Sequence, residues 1–600
     1  MSGIVLNNPT TQSNPFTVTG TVVGDPNTNA GAGLIGEAYA WNVINEGTII
    51  GTPSNALFAQ GAGVILDRGV GVLNQSGALI SGGGTGVYAW TTTNYGTITA
   101  SGVAFNGQTP FGDGVYSYVI HNHGYISGRY IGALSNNFAD RPTLSVVNYG
   151  DGTIVATGPT GHGVDLLVGE YKQHPGAFSG SLVNSGAIDA QGSAGVGVNL
   201  TLYAYYAAST VAGSVVNHGT ISGNTGVQVV PGIDNHYDAA ATIINYGTIE
   251  GTGSTGVGVF LPAGGSVSNN AATASISGTV TGVDVSGSVG TVVNLGTIGA
   301  SGSVGVGVRL TAGGAVTNGS SAVTTASIYG YRYGVVISGM PGTLINYGSI
   351  TANHSAGQGL RLTAGTVFNA GTIIGELLSG GLEIVSSGGV TNFATITSGG
   401  VEIISGGGSA SFAIVRGGGS QTASSGGIAS ATTITSGGNL VVSSGGLTST
   451  ATIDSGGNLV ISAGGLASAA TVNSGGSQSV LGSAMGTTID SGGSEIVSSG
   501  GSATAATVES GGSQLISSGG TAVSTLVSGG PSAGGGGTVT VFAGGTISGA
   551  GLGGGAASGV GSLNVSGGRA VSATAGGGSA GGGGIVTVFG GGVANFTVLS

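Results

Sequence analysis

From residue 379 to residue 530 the chain repeats a unit of about 19 residues, and this period limits the folds open to it. Six of the eight intervals between units are 19 residues, and the other two are 17 and 18. A short fixed period means that each unit packs only on its neighbours, so we expect an elongated stack of coils. The units begin with Ser-Gly-Gly or a close variant at Ser379, Ser398, Gly417, Ser436, Ser455, Ser474, Ser491, Ser510 and Ser528.

Two neighbouring columns of the aligned units separate the inside of the stack from its outside. One column holds only Val and Ile, at Ile396, Val415, Ile434, Ile453, Val472, Ile489, Val508 and Val527. The next column is polar, at Thr397, Arg416, Thr435, Asp454, Asn473, Asp490 and Glu509. Adjacent residues of a strand point to opposite faces, and glycine pairs permit tight corners between strands. The pattern predicts an all-β fold, an elongated parallel β-helix (β-solenoid).

A looser repeat precedes this region and carries the signature Asn-x-Gly-Thr-Ile. Matching pentads or variants begin at Asn45, Asn94, Asn122, Asn148, Asn184, Asn217, Asn245, Asn294, Asn346 and Asn369. Constant strands separated by variable lengths predict coils with projecting loops. Inward Asn side chains at a corner can satisfy backbone groups and stack as ladders.

These patterns divide the chain into four predicted segments. Residues 1–30 match neither repeat and are predicted to cap the first coil, because an open end exposes unpaired backbone. Residues 31–375 form the irregular Asn-x-Gly-Thr-Ile coils, and residues 376–530 form the regular 19-residue coils. Residues 531–600 are richer still in glycine and are interpreted as terminal coils with glycine-rich loops.

Composition excludes several classes of function. Charged residues make up 5% of the chain, the net charge is −12, and Lys172 is the only lysine. Nucleic-acid binding needs clustered Lys and Arg, so a nucleic-acid partner is not expected. Cysteine is absent, which excludes disulfides and thiolate sites. No apolar run approaches the length of a membrane-spanning helix. An acidic composition with almost no lysine and no cysteine is typical of a protein outside a bacterial cell.

The block from 379 to 530 resembles the repeats of the diffuse-adherence adhesin (AIDA) family of self-associating autotransporters. The unit SGGSEIVSSGGSATAATVE, from Ser491 to Glu509, carries the resemblance. It implies a right-handed β-helix on the bacterial cell surface that mediates aggregation, adhesion and biofilm formation. It also implies heptose on repeat hydroxyls, for which the candidates are Ser443, Ser444, Ser498 and Ser499. The N-terminal residues lack the basic and apolar parts of a secretory signal, and no segment resembles the family's translocating domain. The export route therefore stays open.

Aromatic residues recur at equivalent places in three early coils. They are Tyr39 and Trp41, Tyr88 and Trp90, and Tyr116 and Tyr118. If Ala38, Ala40, Val87 and Ala89 face inward, alternation turns the aromatic side chains outward. Exposed aromatic stripes commonly mark contact surfaces. The alternative is that these side chains pack beneath a cap or long loops.

The sequence predicts no enzyme, no catalytic residues, no cofactor and no metal. Two Gly-x-Gly-x-x-Gly matches do not lie in a strand–helix–strand unit. Asp165 and Asp284 lie several coils apart, too far to act as the paired carboxylates of a glycan-cleaving enzyme. We therefore predict an extracellular surface protein that self-associates or adheres through its lateral faces, with surface glycans as a second class of partner. A surface-lattice or filament subunit and a polysaccharide-active β-helix enzyme are the alternatives.

Overall fold

The computed structural model describes most of the chain, and every regular element in the described part is a β-strand. The described residues are 3–8, 11–27, 31–36, 39–53, 61–67, 70–102, 112–136, 142–169, 176–203, 210–231, 239–498, 500–530, 535–554, 559–576 and 583–599. They form two units. The first contains residues 1–336 and 353–355, and the second contains residues 337–352 and 356–600.

In the first unit each coil contributes one strand to each of three parallel sheets. One such coil runs through Val196–Tyr203, Thr210–Asn217 and Thr220–Gly223. Each strand pairs in parallel with its equivalent in the next coil, so that Val198 lies opposite Val227. The unit is therefore a right-handed parallel β-helix, which confirms the predicted fold class.

We name the three sheets of the first unit after their sequence signatures. The Gly-Val face contains Ile4–Leu6, Leu34–Gly36, Val64–Leu66, Val87–Tyr88, Asp113–Tyr116, Ile131–Asn136, His162–Gly169, Val196–Tyr203, Thr225–Pro231, Val257–Leu261, Thr281–Val285 and Val306–Leu310. The Asn face contains Phe16–Val18, Asn42–Asn45, Gly71–Asn74, Thr91–Asn94, Val119–Asn122, Thr143–Asn148, Ala177–Asn184, Thr210–Asn217, Ala239–Asn245, Gly265–Asn269, Gly290–Asn294 and Gly314–Asn318. The Thr-Ile face contains Thr21–Val23, Thr48–Ile50, Leu79–Gly82, Thr97–Ala100, Tyr125–Gly128, Thr153–Ala156, Ala187–Ala190, Thr220–Gly223, Thr248–Gly251, Ser275–Gly278, Thr297–Ala300 and Ser327–Gly330. The strand Tyr333–Ile337 follows them.

The interior of the first unit is a narrow aliphatic column. Val198, Leu200 and Ile221 are completely buried and belong to one coil. Gly197 marks the corner where the Gly-Val face begins. A Cβ there would lie 2.6 Å from the carbonyl oxygen of Gly226 and 2.7 Å from Ile221 Cγ2. Only glycine allows the two coils to approach this closely, which is why Gly precedes Val in the signature.

A ladder of asparagine side chains fills the corner between the Asn face and the Thr-Ile face. Each Nδ2 donates to the Oδ1 of the next Asn at 2.7–2.9 Å, and most also donate to a backbone carbonyl of the following coil. The ladder is fully buried, which confirms the predicted inward Asn stack. Its members in the first unit are Asn45, Asn74, Asn94, Asn122, Asn148, Asn184, Asn217, Asn245, Asn269, Asn294 and Asn318.

The second unit repeats the three-strand coil with shorter strands. Its four-residue strands form one sheet, which we call the four-residue face: Leu382–Val385, Val401–Ile404, Ser420–Ala423, Asn439–Val442, Asn458–Ile461, Ser477–Val480, Ser494–Val497 and Ser513–Ile516. The shorter strands between them are Ser409–Ser411, Ile414–Val415, Ile428–Ser430, Thr433–Ile434, Leu447–Ser449, Thr452–Ile453, Leu466–Ser468, Thr471–Val472, Ser483–Met485, Thr488–Ile489, Ser502–Thr504, Thr507–Val508, Thr521–Val523 and Leu526–Val527. Before the first complete 19-residue coil lie Gly342–Asn346, Ser349–Ala352, Gln358–Leu362, Gly365–Asn369, Thr372–Leu378 and Val390–Ile396. After the last lie Thr538–Phe542, Thr546–Ser548, Gly551–Leu552, Ser562–Ser566, Arg569–Ala575, Ile585–Phe589 and Val593–Leu599.

The two predicted columns of the second unit lie where the sequence places them. All eight Val and Ile residues of the inward column, from Ile396 to Val527, are fully buried. None of the residues in the adjacent polar column is buried. The glycines of the Ser-Gly-Gly corners have positive φ, such as 83° at Gly437 and 75° at Gly456.

Another corner of each coil uses residues other than glycine in the left-handed conformation. Ala431 and Thr450 both have φ of 52° between the two short strands of their coils. The amide of Ala431 donates to the carbonyl of Ser449 in the next coil at 2.8 Å. Stacking the same bend in successive coils keeps this hydrogen bond and offsets the local strain. The sequence analysis did not anticipate this corner.

Strands at both ends of the chain pair like their neighbours. Ile4–Leu6 pairs in parallel with Leu34–Gly36, and Ile585–Phe589 pairs with Ser562–Ser566. The described part of segment 1–30 therefore includes a coil of the β-helix. Its role as a cap, and the division at residues 375 and 530, stay predictions.

Carboxyl and carboxamide side chains enter the interior of the second unit from the four-residue face. Gln421 Nε2 donates to Glu402 Oε2 at 2.6 Å, and Gln514 Nε2 donates to Glu495 Oε2 at 2.7 Å. The buried members of this column are Glu383, Glu402, Gln421, Gln478, Glu495 and Gln514. The amide donors partner the carboxyl oxygens in a dry interior, as the Asn ladder does in the first unit.

Three buried glutamates lie together where the regular coils begin. Burial, followed by the charge of Glu383, raises the pKa of Glu376 well above its ordinary value of 4.5. Burial, again followed by Glu383, raises the pKa of Glu402 in the same way. Three carboxylates buried side by side would repel one another, so proximity to Glu383 favours the protonated form of Glu376 and Glu402 beyond the effect of burial. The cluster therefore keeps protons that an exposed carboxylate loses.

We expect the Asn ladder to be needed in every coil. In Asn217→Ala the amide of Asn184 loses its acceptor and Asn245 Oδ1 loses its donor inside the corner. Each buried group left unsatisfied costs about 1–3 kcal/mol. Hydrogen exchange should show that loss as reduced protection of Thr210–Asn217 and the neighbouring strands. Asn270→Ala is the matched control, because the Asn270 side chain bonds the Tyr246 hydroxyl at an exposed position. Equal protection in both variants would contradict the assigned role.

We expect the buried glutamates to make the second unit more resistant to unfolding at acidic pH than at neutral pH. A carboxyl whose pKa is raised on folding stabilises fully below its unfolded value of 4.5, and this stabilisation is lost as pH rises through the folded pKa. Each unit of raised pKa corresponds to about 1.4 kcal/mol. The urea midpoint should therefore fall as the pH rises above 4.5. Glu402→Gln should reduce this fall, whereas Glu509→Gln, in the outward column, should leave it unchanged. A midpoint that rises over this range would refute the assignment.

Candidate functional site and contact surfaces

Four aromatic side chains cluster on the outer surface of two adjacent coils in the first unit. Tyr88 and Tyr116 lie opposite each other in the Gly-Val face, with ring centroids 5.0 Å apart at 79°. Trp90 and Tyr118 lie at the following corner, with centroids 6.5 Å apart at 70°. Tyr88 and Trp90 are 37% and 36% exposed. We call these four residues the aromatic cluster; Tyr116 and Tyr118 are half-buried, and a role of the cluster as a contact surface stays a prediction.

The aromatic cluster surrounds a shallow depression. Ala89 and Ser117, both buried, lie between the rings and line it together with them. Ser117 Oγ is 2.7 Å from Thr92 Oγ1, which holds the serine side chain inward. The surface therefore combines aromatic ring faces, ring edges and tyrosine hydroxyl groups around the small side chains of Ala89 and Ser117.

The prediction that Trp41 faces outward is wrong. Its side chain is completely buried, whereas Tyr39 is 47% exposed and Ala40 is exposed rather than inward. Ile35 is paired with Ile65, which is paired with Tyr88. Trp90 follows Tyr88 by two residues, but Trp41 follows Ile35 by six. The longer corner breaks the alternation on which the prediction depended.

Trp41 turns inward because Gly36 leaves room for it. A Cβ on Gly36 would lie 2.9 Å from Trp41 Cδ1 and 2.7 Å from Leu66 Cδ2. The carbonyl of Trp41 still accepts from the amide of Val70 in the next coil, as that of Trp90 accepts from Tyr118. The carbonyl makes the same hydrogen bond in the two coils, whereas the Trp41 side chain is buried and the Trp90 side chain is exposed. Trp41 is thus a core residue rather than a surface contact.

Acidic and polar residues continue the surface beside the aromatic cluster. In the Gly-Val face, Tyr116 lies opposite Leu134, and Leu134 lies opposite Asp165. Asp165 Oδ2 is 3.1 Å from His162 Nδ1, and its Oδ1 accepts from Asn199 Nδ2 at 2.9 Å. Both oxygens of Asp165 therefore have partners.

Asp113 differs from Asp165 because its carboxyl group has no hydrogen-bond partner among the described residues. It is only 6% exposed. Burial raises the pKa of Asp113 to about 7, and the charge of Asp165 adds to the effect. Burial also raises the pKa of Tyr116, with smaller contributions from ionisable neighbours that include Asp113. A titratable group that is buried and unpartnered is a candidate functional residue.

The sequence analysis missed Asp113 and His162. Asp113 pairs with Ile131, and Ile131 pairs with His162, so all three occupy the position just before the Gly of the Gly-Val signature. Strand alternation does not predict that this side chain lies beside the side chain three residues later, because the backbone bends at the intervening glycine. The contact of His162 with Asp165 reveals it. By the same register, Asp113 lies beside Tyr116.

Asp284, the other carboxylate weighed from the sequence, belongs to a structural ion pair. Its Oδ1 accepts from Arg309 Nε at 3.1 Å in the next coil, and its Oδ2 bonds Arg309 Nη2. This hydrogen bond, more than the opposing effect of burial, raises the pKa of Arg309. Both carboxylate oxygens of Asp284 therefore already bind Arg309.

A second group of rings stacks at the exposed corner of the Asn signature. Tyr95 and His123 have centroids 4.6 Å apart, and His123 and Tyr149 have centroids 3.8 Å apart, both at 10°. His123 Nδ1 is also 3.1 Å from Asp151 Oδ1. His218 and Tyr246 repeat the stack at 4.7 Å and 2°. The variable position of the signature thus carries ring stacks that pattern analysis did not identify.

The four serines predicted to carry sugars occupy Ser-Ser-Gly-Gly corners of the second unit. Ser443 is half-buried and Ser444 is exposed, next to Gly445 with φ of 73°. Ser498 is half-buried, and Ser499 lies outside the described residues. Ser444 therefore has the most accessible hydroxyl of the three that are described. Glycosylation stays a prediction.

The outer surface of the second unit is almost free of charge from residue 376 to residue 530. Eight charged residues fall in this range, and four of them, Glu376, Glu383, Glu402 and Glu495, are buried. The other four, Arg416, Asp454, Asp490 and Glu509, all belong to the outward polar column. Typical soluble surfaces carry roughly a quarter to a third charged residues. The four-residue face therefore presents only uncharged side chains.

Aliphatic residues dominate one outward column of the four-residue face. The strand pairings align Ile384, Ile403, Thr422, Val441, Val460, Ser479, Ile496 and Leu515. All are at least partly exposed, and Ile496 reaches 38%. Phe393 and Phe412 add an exposed stacked pair at another corner, with centroids 5.2 Å apart at 12°.

The described residues show neither a metal site nor a membrane-crossing helix. No group of three or more His, Asp or Glu within them could hold a metal ion. Within the same residues there is no helix long and apolar enough to cross a bilayer.

Comparison with known proteins finds similarity among solved structures. No protein-family model matches the chain, and no curated protein matches it. The chain is similar to the crystal structure of a TibC-catalysed hyper-glycosylated TibA fragment, residues 55–350, with 27% sequence identity. The match covers 56% of this chain and 97% of that fragment, with a TM-score of 0.31. The superposition is poor, so the fold assignment rests on the strand pairing within this chain.

The two tryptophans should differ in emission wavelength and in their accessibility to a soluble quencher. Trp41 and Trp90 are the only tryptophans in the chain. In Trp90→Phe the remaining Trp41 should emit at short wavelength and resist iodide quenching, because it is buried. In Trp41→Phe the remaining Trp90 should be quenched readily. Equal quenching of the two single-tryptophan variants would contradict the inward orientation of Trp41.

Proposed function

We propose that this chain is an extracellular structural protein of the bacterial surface that self-associates through the four-residue face. The observation that carries the proposal is the absence of charge on that face in the described residues. Lateral contact between two such faces meets no electrostatic repulsion and removes aliphatic surface from water. Each strand contributes little, and the contact gains strength from the number of strands that take part.

The chemistry of the face suits a second copy of the same face. Ser, Thr and Asn side chains beside the aliphatic column can hydrogen-bond across an interface at about 1 kcal/mol each. The outward column of Val441 and Val460 would be buried between them. A charged partner would find no opposite charge to pair with. A homotypic contact therefore fits better than a charged receptor.

Sequence resemblance supports the same proposal. The 19-residue units resemble those of the self-associating AIDA adhesins, and that resemblance is the basis for proposing a location on the bacterial surface. An ordered lattice or filament would use the same faces and would be distinguished by regular arrays in electron micrographs. That the chain has no enzymatic activity stays a prediction.

The test places charge in the proposed interface. Val441→Lys with Val460→Lys adds two like charges to each face, so two faces in contact repel one another. Cells of a non-aggregating bacterium that display this variant should settle as slowly as cells without the protein. The purified variant should be monomeric in analytical ultracentrifugation at concentrations where the wild type associates. Both side chains already point outward, so circular dichroism should be unchanged.

Thr435→Lys with Asn473→Lys is the matched control. It adds the same number of charges two coils apart, on either side of Asp454, in the column that already carries Arg416 and Asp454. Settling should remain at the wild-type rate. If the control loses association as fully as the interface variant, added charge alone explains the effect and the assigned face is wrong. If neither variant changes association, the contact lies elsewhere.

A further inference from the structure

We propose that the aromatic cluster and Asp113 form a binding site for a neutral pyranose unit of a glycan. This proposal concerns the first unit and does not depend on self-association of the second. It rests on three observations: four rings around a shallow depression, a buried carboxyl group without a partner beside them, and the signs of the nearby charges.

The rings provide the apolar part of the site. A pyranose has a face of C–H groups that packs against an aromatic ring, and Tyr and Trp combine an apolar body with a polar tip. Tyr88 and Trp90 are the more exposed members, and Tyr116 and Tyr118 meet them edge to face. Two coils therefore offer rings in different orientations around Ala89 and Ser117. A ligand with both C–H faces and hydroxyl groups fits this mixture better than a purely apolar one.

Asp113 provides the polar part. The His162–Asp165 contact of 3.1 Å shows that side chains at these two register positions meet on the outer surface. Asp113 and Tyr116 occupy the same two positions in an earlier coil, so the Asp113 carboxyl group lies beside the Tyr116 ring. Asp113 is only 6% exposed, but its carboxyl oxygens are not among the fully enclosed ones, so they remain open at the surface to accept a hydrogen bond from a ligand. A sugar hydroxyl seated on the rings could donate to it.

The surrounding charge favours a neutral ligand. Burial is the main cause of the raised pKa of both Asp113 and Tyr88, and the negative charges of Asp165 and Asp67, respectively, add to it. The acidic groups would repel an anionic sugar or a phosphate. His162 is already paired with Asp165, so it does not offer a free cation. A small organic cation also suits rings beside a carboxylate, and the test must separate it from a sugar.

The experiment titrates the full-length Trp41→Phe protein, in which Trp90 is the only tryptophan, and follows its fluorescence. The probes are methyl glycosides of glucose, galactose and mannose, cellotetraose, glucuronic acid and choline. We expect saturable change with at least one neutral sugar and none with glucuronic acid. Trp90→Ala with Tyr118→Ala, followed by calorimetry, should weaken binding of that sugar at least about tenfold, because both rings lose contact. Asp113→Asn should weaken it about fivefold or more, because the amide oxygen is a weaker acceptor than a carboxylate.

Tyr246→Ala is the matched control, because Tyr246 is an exposed stacked tyrosine at a different corner of the same unit. Its affinity for the sugar should equal that of the wild type. The proposal is overturned if no neutral sugar binds, if choline binds in their place, or if the double variant retains full affinity. Release of sugar product that stops in Asp113→Asn would also overturn it, since it would make the site hydrolytic. Because the readout is binding by purified protein, loss of settling in the experiment on the four-residue face does not affect it.

Discussion

The fold of both units depends on the corners, because there the backbone changes direction beside a narrow, apolar interior. A coil of some twenty residues must turn several times, and each turn exposes amides and carbonyls that the straight strands would have paired. The first unit solves this with Asn side chains, each bonded to the next Asn and to backbone groups. The second unit solves it with glycine pairs and with residues such as Ala431 in the left-handed conformation. In both cases the solution works only if the next coil repeats it, so the period follows from the corner.

This dependence explains which parts of the fold can be predicted from the sequence. Val and Ile columns such as Ile434 and Ile453 can be identified because every coil has the same length, and counting residues is then equivalent to counting coils. Asn74, Asn269 and Asn318 join the ladder although their pentads are interrupted, since insertions after the Asn leave its strand in register. A search for the complete signature cannot find them. The aligned strand that precedes each one would have indicated the position.

The errors at the candidate site have the same origin. The outward prediction for Trp41 fails because inward and outward positions alternate only within a strand, and the corner before Trp41 is longer in this coil. Asp113 and Tyr116 were not placed together because a glycine corner separates them in the strand. Contacts across corners depend on the rotation of the chain at that point, which residue types do not encode. The buried glutamates of the second unit were also missed, since Glu402 occupies a place where Leu440 stands in a later coil.

Burying half of the charged residues of the regular coils has a consequence for their outer surface. The interior uses charge and amide groups for pairing, while the four-residue face keeps Ser, Thr, Asn and aliphatic residues that repeat with little change. Two such faces shifted by one coil, about 4.8 Å, meet almost the same partners. Such a contact is tolerant of slippage, and its strength depends on overlap more than on one register. The interruptions at Thr422 and Ser479, together with the single 17-residue interval, are the features that make one register differ from the next. A surface of this kind favours many weak, adjustable contacts between copies over a single fixed docking geometry.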